Sequence, residues 1–403
     1  MFQRARILVL LIVIPSMLVS CGKPPASIVR RPKPVDYSFV NPHPAVPSYD
    51  PASPDPFQVD LRSANLTGLD LSQSLEALLY ASFDSKTQWP PADKLPAGFD
   101  PAAIMETGKD PGLGIRALHQ QGITGKGIGV AIIDQTLLVD HVEYGDRVRV
   151  YEEGGDVTGG WLQTSMHGPA VASIAVGESV GVAPEANLYF VASGGCNRDV
   201  NTQSLDYSCI ARDILRIVEI NKGLPPDQEI RVLSISIGWM PDSTGHDDIM
   251  AAVGTAMTAG IFVITVNLYE THGWNILGLG RSALADPNRF ESFLPGVYWA
   301  QDFYNSNHPL NQILLAPMDA RTTASPTGLE DYAFYGIGGM SWTIPYLAGI
   351  YALAAQVKPD ITPEEFWAAA LNTGQTIQVQ QNGTSYSLGI ILDPQALIAE
   401  FQK

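Results

Sequence analysis

Gly129-Val130-Ala131-Ile132-Ile133-Asp134 is an unbroken apolar run, rich in β-branched residues, that closes on a carboxylate. No polar residue alternates within it, so both faces of the predicted strand must be covered, as in a parallel sheet held between layers. Ala186 to Ala192, Arg231 to Ile237 and Ile261 to Val266 repeat the pattern further along. Helical stretches lie between or after them, notably Ile210 to Asn221, Asp248 to Ala259 and Thr343 to Val357. Strand alternating with helix predicts an α/β domain over residues 111–403, with a mostly parallel sheet flanked by helices on both faces. Ligands of such sheets bind beyond the carboxyl ends of the strands, so chemistry is sought in the residues that follow each run.

Three segments carry candidates. Asp134 ends the first strand, and by itself reads equally as the cap of a turn. In Met166-His167-Gly168-Pro169-Ala170-Val171-Ala172 a histidine opens a small-residue helix. A helix N-terminus disfavours a charged imidazole, although a satisfied core histidine is a second reading. In Gly338-Gly339-Met340-Ser341-Trp342-Thr343-Ile344-Pro345 a serine starts an apolar helix, and alone it is an N-cap. Taken jointly the three are a nucleophile, a base to take its proton, and a carboxylate to fix the base's tautomer.

At these residues the sequence resembles the subtilisin-like serine peptidases, in the same chain order of Asp, His and Ser. The family's G-T-S-M-A-x-P motif is matched by Gly339, Ser341 and Pro345, followed by Ala348-Gly349, with departures at Met340, Trp342 and Thr343. Its H-G-T-x-V-A motif is matched by His167, Gly168, Val171 and Ala172, with Pro169 for the threonine. Gly181-Val182-Ala183-Pro184 and Leu233-Ser234-Ile235-Ser236-Ile237-Gly238 resemble further family segments. The resemblance implies a subtilisin-like fold and a serine endopeptidase in which Asp134, His167 and Ser341 are catalytic and Ser236 and Gly238 pair with an extended peptide. It implies a side-chain oxyanion donor too, for which Asn267 is the candidate, with Asn275 and His272 as alternatives. Trp239, beside the pairing edge, either narrows the pocket or packs in the core. Calcium is compatible with the family, but no metal site can be identified. The substitutions around all three motifs keep a competing reading open, a catalytically inactive subtilisin fold that binds partners at a surface.

Ahead of this domain the chain changes character. Arg4 and Arg6 precede an apolar run from Ile7 that is too short to span a bilayer and suits a secretory signal, residues 1–20. Leu18-Val19-Ser20-Cys21 resembles a bacterial lipobox, which implies an acylated Cys21 and a protein anchored to a bacterial membrane, at the cell surface or in the periplasm. An ordinary signal peptide with a chance cysteine is the alternative. From Gly22 to Pro56 there are ten prolines, which predicts that residues 21–56 are a stiff, extended tether. Residues 57–110 form an N-terminal extension with one helix, Leu71 to Ala81, wrapped onto the main body. If Cys21 carries lipid, Cys196 and Cys209 are left as a pair that an oxidising exterior favours joining, with two free thiols as the alternative. Zinc is disfavoured, because two cysteines without nearby histidines do not complete four ligands.

Composition narrows the partners. With 41 acidic against 24 basic residues and a net charge of −17, the chain has no phosphate-binding footprint, so nucleic acid is not expected. Hydrophobic residues at 45% allow a large core. The expected partners are a peptide or protein substrate and, through the lipid, a membrane.

Overall fold

A computed structural model describes residues 27–37, 45–51, 53, 55–154, 157, 163–193, 205–306, 310 and 312–403. Six parallel strands form the main sheet, in the spatial order Ser27–Ile28, Val148–Glu153, Asn187–Ala192, Gly129–Asp134, Ile230–Ile235 and Phe262–Thr265. The strand ending in Asp134 is therefore central, as its continuous apolar run requires. Its alternate side chains enter different cores. Val130 and Ile132 pack with the helices His167–Val176 and Met340–Val357. Ala131 and Ile133 pack with Ser208–Lys222 and His246–Thr258 on the opposite face. The expected α/β architecture, a mostly parallel sheet between helical layers, is what the chain adopts.

A second sheet continues beyond it, with parallel strands Asn275–Arg281 and Ile313–Pro317 flanked by Phe293–Pro295 on one side and the hairpin Gln375–Gln381 and Thr384–Ile391 on the other. A third is antiparallel and joins two distant parts of the chain. Its strands are Arg321–Ala324, Tyr332–Tyr335 and Ser82–Asp84, the last from the N-terminal extension. Val59, Leu61, Ala64, Leu66, Leu71, Leu78 and Phe83 of the extension form a core with Ala283, Ala320 and Phe334.

Two readings are corrected here. The helix predicted from Leu71 to Ala81 is only Leu75–Leu79, and Leu75 is exposed. Leu71 is buried before the helix begins, in a turn where Ser74 N–H donates to its carbonyl, so the leucines do not share one helical face. The proline-rich segment, expected to stand off as a tether, is docked where it is described. Ser27–Ile28 pairs with Val150 and Tyr151, Arg30 bonds Glu153 at 2.5 Å, and Val35 N–H donates to the Pro326 carbonyl. The reason is local: Ala26 to Arg31 lacks proline and keeps the N–H groups that a strand needs. Cys21 and Cys196 lie outside the described residues, as does the whole signal segment.

Candidate active site

Asp134 stands at the C-terminal end of the central strand, and the backbone beyond it folds directly over the helix that starts at His167. Gly168 permits this approach, because a Cβ there would meet the carbonyl oxygens of Thr136 and Gln135 at 2.5 and 2.6 Å. Ser165 Oγ closes the turn, donating to the Thr136 carbonyl at 3.1 Å and accepting from Gly168 N–H at 3.1 Å. His167 is thereby held against Asp134, with Nδ1 and Oδ1 2.7 Å apart. Asp134 Oδ1 also accepts the Gln135 N–H at 2.7 Å. Burial opposes charge on His167, but the Asp134 carboxylate and its hydrogen bond outweigh it, so the imidazole pKa is raised above its ordinary value.

Ser341 arrives from the other helix. Predicted to begin at Thr343, that helix begins at Met340 with Gly339 as N-cap, which puts Ser341 inside the first turn. Its N–H therefore has no acceptor within the helix. Gly349 lets the two helices cross closely, since a Cβ at that position would lie 2.5 Å from Val182 Cβ and 3.1 Å from the Ala175 carbonyl oxygen. Pro345 has no N–H to give the Ser341 carbonyl four residues back, and that carbonyl instead accepts from Ser236 Oγ at 3.1 Å. The Ser341 hydroxyl donates to the Ser236 carbonyl at 3.4 Å and makes no hydrogen bond to His167. Both side chains line one cavity of about 790 Å³.

The predicted peptide-pairing residues Ser236 and Gly238 line the same cavity. A second cavity of about 400 Å³, lined by Asp134, His167, Leu205, Ser236 and Ile237, adjoins it. Asn267 is close to Gly238, but its side-chain amide donates to the Trp239 carbonyl at 2.8 Å and does not line the cavity. His272 is stacked on Trp274 at 4.7 Å, and burial lowers its pKa to about 4. Trp239 belongs to the core, fully buried with its indole N–H on Met250 Sδ at 3.3 Å, and does not narrow the pocket. Trp342, a departure from the family motif, places its ring 5.3 Å from the His167 ring. Phe57, Asp60, Arg62, Tyr298 and Tyr335 also line the cavity and escaped the sequence reading, because no motif links them to Ser341. Among the described residues there is no group of three or more His, Cys, Asp or Glu side chains able to hold a metal ion.

Residues 125–266 match the peptidase S8 subtilase family, a span that includes Asp134 and His167 and ends before Ser341. The serine protease AprX of Bacillus subtilis (strain 168) is 27% identical over 278 residues, 61% of this chain. The match spans 60% of the length of that relative. The solved structure of the prenylagaramide maturation protease PagA aligns with a TM-score of 0.48 at 18% identity, covering 72% of this chain and 98% of that one. The family match and the curated relative support a subtilisin-like serine peptidase.

Proposed function

We propose that the protein is a serine endopeptidase in which Ser341 attacks the peptide carbonyl, His167 moves the proton, and Asp134 orients the imidazole. The observation that carries this reading is the 2.7 Å contact between His167 Nδ1 and Asp134 Oδ1 at the wall of a cavity that Ser341 shares. Asp134 holds the proton on Nδ1, which leaves Nε2 free to accept the Ser341 proton once the hydroxyl leaves the Ser236 carbonyl. The imidazolium then passes that proton to the leaving amine, and water deacylates the enzyme by the same route in reverse. Charge on the tetrahedral oxygen is met by the Ser341 N–H at its helix N-terminus. Asn267 supplies the second donor after its amide is released from the Trp239 carbonyl; losing one such donor costs about 2.7 to 4 kcal/mol. An extended peptide lies along Ser236 and Gly238 as an added strand.

The same reading includes export and attachment to a bacterial membrane through an acylated Cys21, as well as a disulfide between Cys196 and Cys209. Closing that loop would contribute roughly 3 kcal/mol.

A fluorophosphonate probe tests the nucleophile. The unaltered protein should become labelled and cleave peptides, and Ser341→Ala should lose both while its thermal unfolding is unchanged. His167→Ala should be nearly as severe, and the double variant hardly worse, since such residues act as a unit. A folded, unlabelled wild-type protein would turn the assignment toward a non-catalytic binding protein.

A further inference from the structure

One side of the cavity at Ser341 is built by residues outside the α/β domain. Phe57, Asp60, Arg62 and Ser82 line it together with Met340, Ser341 and Trp342. Their segment is tied to the strand that leads to the nucleophile. Leu61 N–H donates to the Ser82 carbonyl at 2.7 Å, Ser82 N–H donates to the Val59 carbonyl at 2.8 Å, and Ser82 stands opposite Tyr335 in the antiparallel sheet. At Gly336 a Cβ would lie 2.7 Å from the Tyr80 carbonyl carbon and 2.8 Å from the Ala81 oxygen, so the extension's backbone occupies the space a side chain would need. Arg62 spans the junction. Its guanidinium bonds the Asp60 carboxylate at 2.6 and 2.8 Å, donates to the Tyr335 hydroxyl at 3.4 Å, and lies 5.6 Å from the ring centres of Tyr37 and Tyr335.

A removable inhibitory segment must be able to leave without unmaking the core. This one cannot: Leu61, Ala64, Leu66 and Leu78 are wholly buried, in one core with Ala320 and Phe334. At the cavity's edge Phe57 meets Tyr298 edge to face at 5.9 Å, with 52% and 48% of their surfaces exposed. Such aromatic surface, open beside a nucleophile, favours an apolar side chain over a charged one. Ile237, Val266 and Ile337 continue the apolar lining.

We propose that residues 57–84 are a permanent wall of the substrate cleft, and that the Phe57–Tyr298 pair receives a bulky apolar side chain of the peptide beside the scissile bond. This rests on the peptidase reading above. Both rings are half exposed, so Phe57→Ala and Tyr298→Ala should fold, which their circular dichroism and melting would verify. The measurement is kcat/KM on matched peptides carrying phenylalanine or alanine at each position flanking the cleaved bond. In each variant the preference for phenylalanine over alanine at one of those positions should fall roughly tenfold or more. An unchanged preference at every position, with the wild type labelled by fluorophosphonate, would overturn the inference and leave the peptidase reading standing. Absence of labelling in the wild type would remove both. Intact mass of the labelled, active protein should include residues 57–110, and an active species lacking them would likewise overturn the proposal.

Discussion

His167 is pulled two ways, by burial toward neutrality and by Asp134 toward charge, and Asp134 prevails. In the proposed mechanism His167 must be neutral to take the Ser341 proton, so activity should fall as pH drops through a value above the ordinary histidine pKa of 6.5. A pH profile of kcat/KM locates that acid limb, and Asp134→Asn should lower kcat by about 10⁴ through the wrong tautomer. Asp319 is a buried carboxyl beneath the loop that precedes Ser341, accepting from Gly338 N–H at 2.8 Å and Val297 N–H at 3.3 Å. Burial raises its pKa to about 7 despite those bonds. The folded protein thus keeps this proton where the unfolded chain releases it near 3.8, so its contribution to stability is full below pH 4 and lost as pH rises through about 7. Denaturant unfolding at pH 4.5 and 7.5 should show Asp319→Asn lessening that decline, by roughly 3 kcal/mol at most. Asp134, His167 and Ser341 could be singled out in the sequence because their types and order suggest a chemistry, and the fold sets Asp134 against His167 and lines one cavity with His167 and Ser341. Asp319 and Arg62 could not be, since a carboxyl or guanidinium in a loop signals nothing until the fold buries it.

Strands and helices were legible to within a few residues where apolar period and length agree, as for Gly129–Asp134 and Ser208–Lys222. The reading failed where tertiary contacts decide. Leu71 is recruited to the extension's core from a turn, and Met340-Ser341 joins a helix because Gly339 caps it in an extended conformation. The crossing at Gly349 is equally invisible in sequence, yet it brings the helix of His167 onto that of Ser341. Gly349→Ala should cost about 1 to 3 kcal/mol by overpacking and slow labelling. Gly254, inside the helix His246–Thr258, has open space at its Cβ position, and Gly254→Ala should stabilise by about 0.4 to 1 kcal/mol. Thermal melts of both variants check the pair, and equal effects would refute the packing account.

At the scale of the whole molecule, described segments ahead of the α/β domain are built into the body that follows: Ser27–Ile28 edges the main sheet and Ser82–Asp84 completes the antiparallel one. No described helix is long and apolar enough to cross a membrane, and the anchor proposed above is an acylated Cys21. Cys21→Ser should move the protein from the membrane fraction to the soluble one or leave its precursor uncleaved, as fractionation and N-terminal sequencing would report. The docking of Ser27–Ile28 then fixes how far such an anchor lets the enzyme roam. If Cys21 is acylated as proposed, the six residues Cys21 to Ala26 link the lipid to the paired Ser27, and six residues span at most roughly 20 Å. With the proposed lipid in place, a leash that short would keep the folded body near the bilayer, so that polypeptides emerging from or lying along the membrane would come within its reach more often than freely diffusing ones.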